Sequence, residues 1–240
     1  MEIAPGIRRI GAGLVNVYLV EEAGEVTIID AGAPSYWGDL PAELAAMGRS
    51  LADVRAVVLT HAHPDHIGFA ERIRTQRGVP IHVHEGDAPL ARGEGKRQPQ
   101  QMGSIRPIPL LRFLWFAARH GMLRIPSITE VSTFGDGATL EVPAAPKVIL
   151  VPGHTRGSAA LHVTARDALF VGDAIATVNA VNGRVGPQLA PFGSDRPMAL
   201  ASLSRLENVA AGLVLPGHGL PWTEGPAEAV RRIRAAETIH

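Results

Sequence analysis

The densest chemistry in this sequence lies in one short run, Thr60-His61-Ala62-His63-Pro64-Asp65-His66, where three imidazoles and a carboxylate fall within six residues. If Thr60 ends a strand and the chain then loops, all four polar side chains turn into one small volume. Imidazoles at i and i+2 chelate one cation, and the Asp and His just beyond them hold a second a few ångströms away. A lone histidine on a surface loop carries no such meaning; the cluster does. The wider inventory narrows which ions fit. Ten histidines and no cysteine occur in the 240 residues. Without cysteine there is no disulfide framework, thiol nucleophile, CxxC redox pair or thiolate ligand. A metal must be held by imidazole and carboxylate, a donor set that suits zinc, iron, manganese or cobalt.

The elements that must position these residues are legible as apolar runs. Residues 14–20, 26–29, 56–60 and 81–84 predict strands, the second ending at Asp30 and the third running directly onto His61. Helices are predicted over 37–47, stopped by Gly48, and over 64–77, closed by Gly78 and Pro80. In the second half, 139–142, 147–151, 160–164 and 168–171 predict strands, and 197–209 and 226–237 predict helices with Pro near the first turn. Such an order predicts layered α/β architecture, two internal sheets with helices outside. No tandem repeat interrupts it.

Composition bounds the function classes. At 46% hydrophobic and 19% charged the chain is an ordinary globular protein, not a disordered or fibrous one. A formal net charge of zero argues against bulk nucleic-acid binding. No apolar run is long enough to span a membrane, and residues 1–6 lack the basic and apolar regions of a signal peptide, so the expected location is the cytoplasm.

Residues 88–130 break the rhythm. Seven basic residues (Arg92, Lys96, Arg97, Arg106, Arg112, Arg119, Arg124) face two acids, Glu94 and Glu130, a net +5 in a neutral chain. Within this stretch an apolar, helix-like run after Pro109 carries Phe113, Trp115 and Phe116. The expectation is a helical insertion that caps a cleft, forms a dimer interface, or both. A helix lying in a membrane interface is the third reading.

HxHxDH after a short apolar strand resembles the metallo-β-lactamase superfamily. The remaining motifs fall in the family's order over residues 10–220: Asp30 in Ile28-Ile29-Asp30-Ala31-Gly32, His154 in Pro152-Gly153-His154-Thr155, Asp173 in Phe170-Val171-Gly172-Asp173, and His218 in Leu215-Pro216-Gly217-His218-Gly219. The resemblance implies a single four-layered αβ/βα sandwich over residues 1–240, with 88–130 inserted. It further implies two divalent ions, zinc by default with iron, manganese or cobalt open. His61, His63 and His154 would hold one ion, Asp65, His66 and His218 the other, and Asp173 would bridge them. Asp30 would orient an imidazole or the loop rather than ligate.

The implied activity is hydrolysis of an ester, lactone or thioester by a metal-activated water, with Asp65 handling its proton. Lactonases of the family match in size and insertion but usually carry tyrosine where Ala176 stands. A mononuclear iron sulfur dioxygenase, a phosphodiesterase and a weak β-lactamase stay open as alternatives. Arg156 replaces the proline of the family's usual GHTPG and is a candidate for a substrate anion, with Phe113, Trp115 and Phe116 for its apolar portion. The expected partner is a small molecule, with no nucleic acid, no stable membrane insertion, and a homodimer open. His82, His84, His120, His162 and His240 are read as background.

Overall fold

The computed structural model describes residues 1–94 and 99–237, so Lys96, Arg97 and His240 lie outside the described residues. Seven strands form the first sheet in sequence order: β1 (Glu2–Ala4), β2 (Ile7–Ile10), β3 (Val17–Glu22), β4 (Glu25–Ile29), β5 (Val54–Val58), β6 (Ile81–His84) and β7 (Ser132–Phe134). The first four are antiparallel neighbours, and β4 to β7 run parallel. The β3–β4 turn is two residues, Ala23 (φ 50°) and Gly24 (φ 89°), the positive-φ pair that matches the twist of a tight hairpin. The parallel strands return through helices: α1 (Leu40–Ala45), α2 (Ala70–Arg77), α3 (Ala88–Ala91) and α4 (Pro107–Arg119).

The second sheet has four strands, β8 (Lys147–Leu150), β9 (Ala159–Val163), β10 (Ala168–Gly172) and, beyond a hairpin of β11 (Ala176–Val178) with β12 (Val185–Gln188), β13 (Leu213–Pro216). Its order is β13-β10-β9-β8, with β10 and β13 parallel. Helices α5 (Arg196–Ser202) and α6 (Gly225–Glu237) complete the chain.

Three buried apolar clusters show the layering. Ile7, Tyr18, Val20, Ile29 and Val58 of the first sheet meet Leu161, Phe170 and Leu215 of the second. The other face of the first sheet packs Leu19, Ile28 and Val57 against Leu44 and Ile73 of its helices. The outer face of the second packs Leu169 and Val214 against Val230 and Ile233 of α6. Helix, sheet, sheet, helix is the expected αβ/βα sandwich, because each sheet is apolar on both faces and needs cover on both.

Several expected boundaries moved. The helix expected over 64–77 begins only at Ala70. Residues 64–69 instead wrap against the Asp30 loop: the Ala31 amide donates to the His66 carbonyl (2.7 Å), Gly68 to Gly32 (2.8 Å) and Phe69 to Ala31 (3.1 Å). Those bonds draw on the backbone groups a helix would have used. They also need Gly68, since a Cβ there would lie 2.1 Å from the Gly32 oxygen. The helix expected over 37–47 splits into a 3₁₀ turn, Pro34–Trp37, and α1. The strand expected over 139–142 reduces to one bridge, Thr139 to Lys147. The helix expected over 197–209 stops as α-helix at Ser202, its start capped by the Asp195 carboxylate on the Met198 amide (2.9 Å). Among the described residues no helix is long and apolar enough to cross a membrane.

Candidate metal centre

Strand direction decides where the polar residues meet. In each sheet the parallel strands end on one edge, and the loops leaving that edge carry Asp30 after β4, residues 60–66 after β5, His154 after β8, Asp173 after β10 and His218 after β13. Seven side chains from both sheets converge there. His61, His63 and His154 form one group; His61, His66 and Asp173 a second; Asp65, His66 and His218 a third. Within each group the candidate ligand atoms lie within 4.8 Å of one another.

Asp173 sits between the histidines. Its Oδ2 is 3.2 Å from His154 Nε2 and 3.2 Å from His218 Nε2, and its Oδ1 is 3.4 Å from His66 Nε2. Asp65 Oδ2 is 3.3 Å from His218 Nε2. Gly217 makes this closeness feasible, since a Cβ there would come within 2.5 Å of Asp173 Oδ1 and 2.6 Å of the His66 ring.

The outer nitrogens of three rings are held from behind. Asp30, itself at φ 63°, accepts from the Thr60 amide (2.7 Å), the Thr60 hydroxyl (2.8 Å) and His66 Nδ1–H (2.8 Å). The Thr60 hydroxyl has one proton and gives it to Asp30, so at 3.2 Å it accepts from His61 Nδ1–H. His218 Nδ1–H donates to the Leu14 carbonyl. His61, His66 and His218 are thereby fixed in the tautomer or charge state that turns Nε2 inward, the usual outer support of a metal-binding histidine.

Among the described residues, three inner atoms lack hydrogen-bond partners. His61 Nε2, His66 Nε2 and Asp173 Oδ1 are fully buried with none, and each such group costs about 1–3 kcal/mol if left unpaired. His63 Nδ1 and His154 Nε2 face each other at 2.8 Å. Burial pushes both rings down in pKa, His154 to about 3 against the pull of Asp173, so both are neutral and one donates its N–H to the lone pair of the other. Burial and the neighbouring His66 hold His61 well below the usual histidine range. A cation among these nitrogens relieves all of this, and the donor set fits it.

The other half of the site carries charge differently. Burial pushes His218 down, but the carboxylates of Asp173 and Asp65 outweigh it and hold the ring at about 10. Against the same burial, Asp30, Asp173 and Asp65 hold His66 well above the usual histidine range. Asp65 and Asp173 are in turn held below the usual carboxylate range, burial notwithstanding, by the histidines beside them. In the metal-free protein, protons on His66 and His218 supply the positive charge that the carboxylates require.

The centre opens onto a cleft of about 990 Å³. His63, Asp65, His154 and Asp173 form its floor; Phe113, Ala117, Met122 and Ile125 of the 88–130 stretch form its apolar wall, and Arg156 lies on its rim. Trp115 and Phe116 are placed differently from the expectation of a substrate contact. Trp115 turns outward at 64% exposure, and Phe116 packs on Tyr36 and His120. Leu114 and Trp115 follow Phe113 around the helix onto its opposite face, so the three neighbouring positions cannot all line one cleft. His82 is partly buried in β6, His84 caps the Gly86 amide (3.1 Å), His120 bonds Ser35 (2.7 Å) and His162 bonds the Ala210 carbonyl (3.0 Å).

One carboxylate escaped sequence reasoning. Asp87, buried just past β6, accepts at Oδ2 from the Ala62 amide (2.9 Å) and the Thr155 hydroxyl (2.7 Å), and at Oδ1 from the Gly157 amide (2.7 Å). It ties the loop of His61 and His63 to the loop of His154. The signal was present: like Asp30 and Asp173, it lies within three residues of the end of a strand at this edge.

A two-sheet sandwich with a histidine–aspartate cluster at one edge defines a class of metal-dependent hydrolases. Residues 10–218 match the Metallo-beta-lactamase superfamily, and the chain belongs to it. It is similar to the "Probable metallo-hydrolase YflN" of Bacillus subtilis, 27% identical over 92% of this chain and 87% of that protein. The "Acyl-coenzyme A thioesterase MBLAC2" of Bos taurus is 26% identical over 85% of this chain and 72% of that protein. Among solved structures, TTHA1623 in a di-iron-bound form superposes with a TM-score of 0.60 and 27% identity, covering 90% of this chain and 93% of that one.

Proposed function

We propose that this protein is a dinuclear metallohydrolase acting on an ester, lactone or thioester carbonyl. The observation that carries the reading is the pairing of two adjacent ligand groups, His61/His63/His154 and Asp65/His66/His218, across a shared Asp173, with inward-facing atoms that no protein group satisfies. Two divalent cations held there would supply a Lewis acid and a water acidified to near neutrality. The di-iron relative supports a two-ion site and keeps iron beside zinc as the metal.

The chain's own residues complete the chemistry. Asp65 is the carboxylate of the cluster with the greater access to the cleft, and its Oδ2 lies by His218. In this reading it takes the proton of the nucleophile and returns it to the leaving group. Arg156 on the rim suits an anionic portion of the substrate, and the wall of Phe113, Met122 and Ile125 suits an acyl or aryl portion. The thioesterase relative supports an acyl substrate.

The test is metal analysis combined with a panel of lactones, thioesters, aryl esters and phosphodiesters on metal-replete protein. Two ions per chain and carbonyl-ester turnover support the reading. One iron per chain with sulfite formed from a persulfide would replace it with the dioxygenase.

A further inference from the structure

We propose that the outer face of α4 is a docking surface for an anionic lipid bilayer. Helix α4 is apolar on two sides. Phe113, Phe116 and Ala117 turn inward, toward the cleft and the helix-side core. Ile108, Leu111, Leu114 and Trp115 turn outward, at 70%, 63%, 51% and 64% exposure. Ile108, Leu111 and Trp115 share one stripe at helical spacing, with Arg112 and Arg119 along its flank. Leu123 and Ile105, just beyond the two ends of the helix, are exposed as well.

Charge selects the occupant. Residues 99–129 contain Arg106, Arg112, Arg119 and Arg124 and no Asp or Glu. Elsewhere most described arginines meet carboxylates, as Arg8, Arg55, Arg74 and Arg205 do. Among the described residues none of these four does; Arg119 instead lies 5.3 Å over the Trp115 ring. A second copy is a poor occupant, because a two-fold contact sets the same arginines against each other with no acid between them. Large exposed apolar side chains, a tryptophan and flanking arginines on a 13-residue helix, too short to cross a membrane, are the features of a helix lying in the plane of an anionic surface. The inner face of the same helix walls the cleft, so docking would set the catalytic opening beside the acyl region of the bilayer.

The test uses the whole protein and two kinds of vesicle, phosphatidylglycerol-rich and pure phosphatidylcholine. We expect co-sedimentation with the first only, reversed by high salt, with a blue shift of tryptophan emission that Trp115→Phe removes. Arg112→Gln and Arg119→Gln should each weaken partitioning about five-fold, and Leu111→Glu should abolish it. Turnover of a water-soluble ester should not change in these three variants. No binding to phosphatidylglycerol vesicles at low salt, or binding that all three variants leave intact, overturns the proposal. So does a solution dimer that Leu111→Glu dissociates. Vesicle binding without ester turnover would defeat the hydrolase reading and leave this one standing.

Discussion

Replacing Asp87 tests whether the centre is held together by a buried carboxylate that touches no candidate metal position. In Asp87→Ala three hydrogen bonds vanish at once. The Thr155 hydroxyl keeps a partner in Ser158 Oγ at 2.8 Å, but the Ala62 and Gly157 amides lose their acceptor in the interior. Two buried amides at about 1–3 kcal/mol each give a loss of about 4 kcal/mol. For a chain of this size that lowers Tm by about 8–16 °C, leaving a folded protein at room temperature. Asp87→Asn keeps one carbonyl oxygen but turns an amide NH2 toward one of the backbone donors, for a loss of about 2 kcal/mol. The metal-binding consequence is selective, since Asp87 joins the loop of His61 and His63 to that of His154 and makes no bond to Asp65, His66 or His218. Competition with a chelator should show the His61/His63/His154 ion weakened about 10–100-fold, with the other ion retained. Thermal melts run alongside separate loosening from unfolding. Unchanged metal affinity in Asp87→Asn together with a Tm shift under about 2 °C would refute the reasoning.

Four further outcomes are expected. Asp173→Ala should abolish hydrolysis while near-ultraviolet circular dichroism stays native, because the residue sits beyond the end of β10; residual turnover above a tenth of wild type, as an order-of-magnitude threshold of about one barrier decade, would contradict the bridging role proposed for it. Chelator-treated protein should be most stable near neutral pH. His218 contributes stability that is fully present below the unfolded-state value and is lost as pH rises through about 10, whereas His154, buried neutral, contributes stability lost as pH falls toward about 3. Metal uptake must then release protons from His66 and His218, so apparent affinity rises with pH; a pH-independent affinity in a calorimetric titration would contradict this. Phe113→Ala should raise KM for long-chain acyl substrates more than for acetyl ones, read from steady-state kinetics on a chain-length series; equal changes for both would remove Phe113 from the wall.

The sequence alone carried the reactive residues and the class of fold. His61, His63, Asp65 and His66 are legible because their spacing is local: a strand end and one loop suffice to bring them together, whatever the rest of the chain does. Asp30, His154, Asp173 and His218 lie far apart in the chain and were legible only through the resemblance to the family's ordered motifs. Short segments were not. Strands β7, β11 and β12 have three or four residues each, include Ser, Thr, Gly and Pro, and owe their pairing to neighbours rather than to their own pattern.

Tertiary structure decided everything that depends on a partner distant in the chain. It unwound residues 64–69, because the Asp30 loop offered their backbone better bonds than a helix would. It made Asp87 the tie between two ligand loops, through donors 25, 68 and 70 residues away. It turned Phe113 toward the cleft and Trp115 toward solvent, although composition treats the two alike. Spacing along the chain specifies which donors lie close at hand; only the packing of the two sheets face to face specifies which of their atoms are left facing inward without a hydrogen-bond partner.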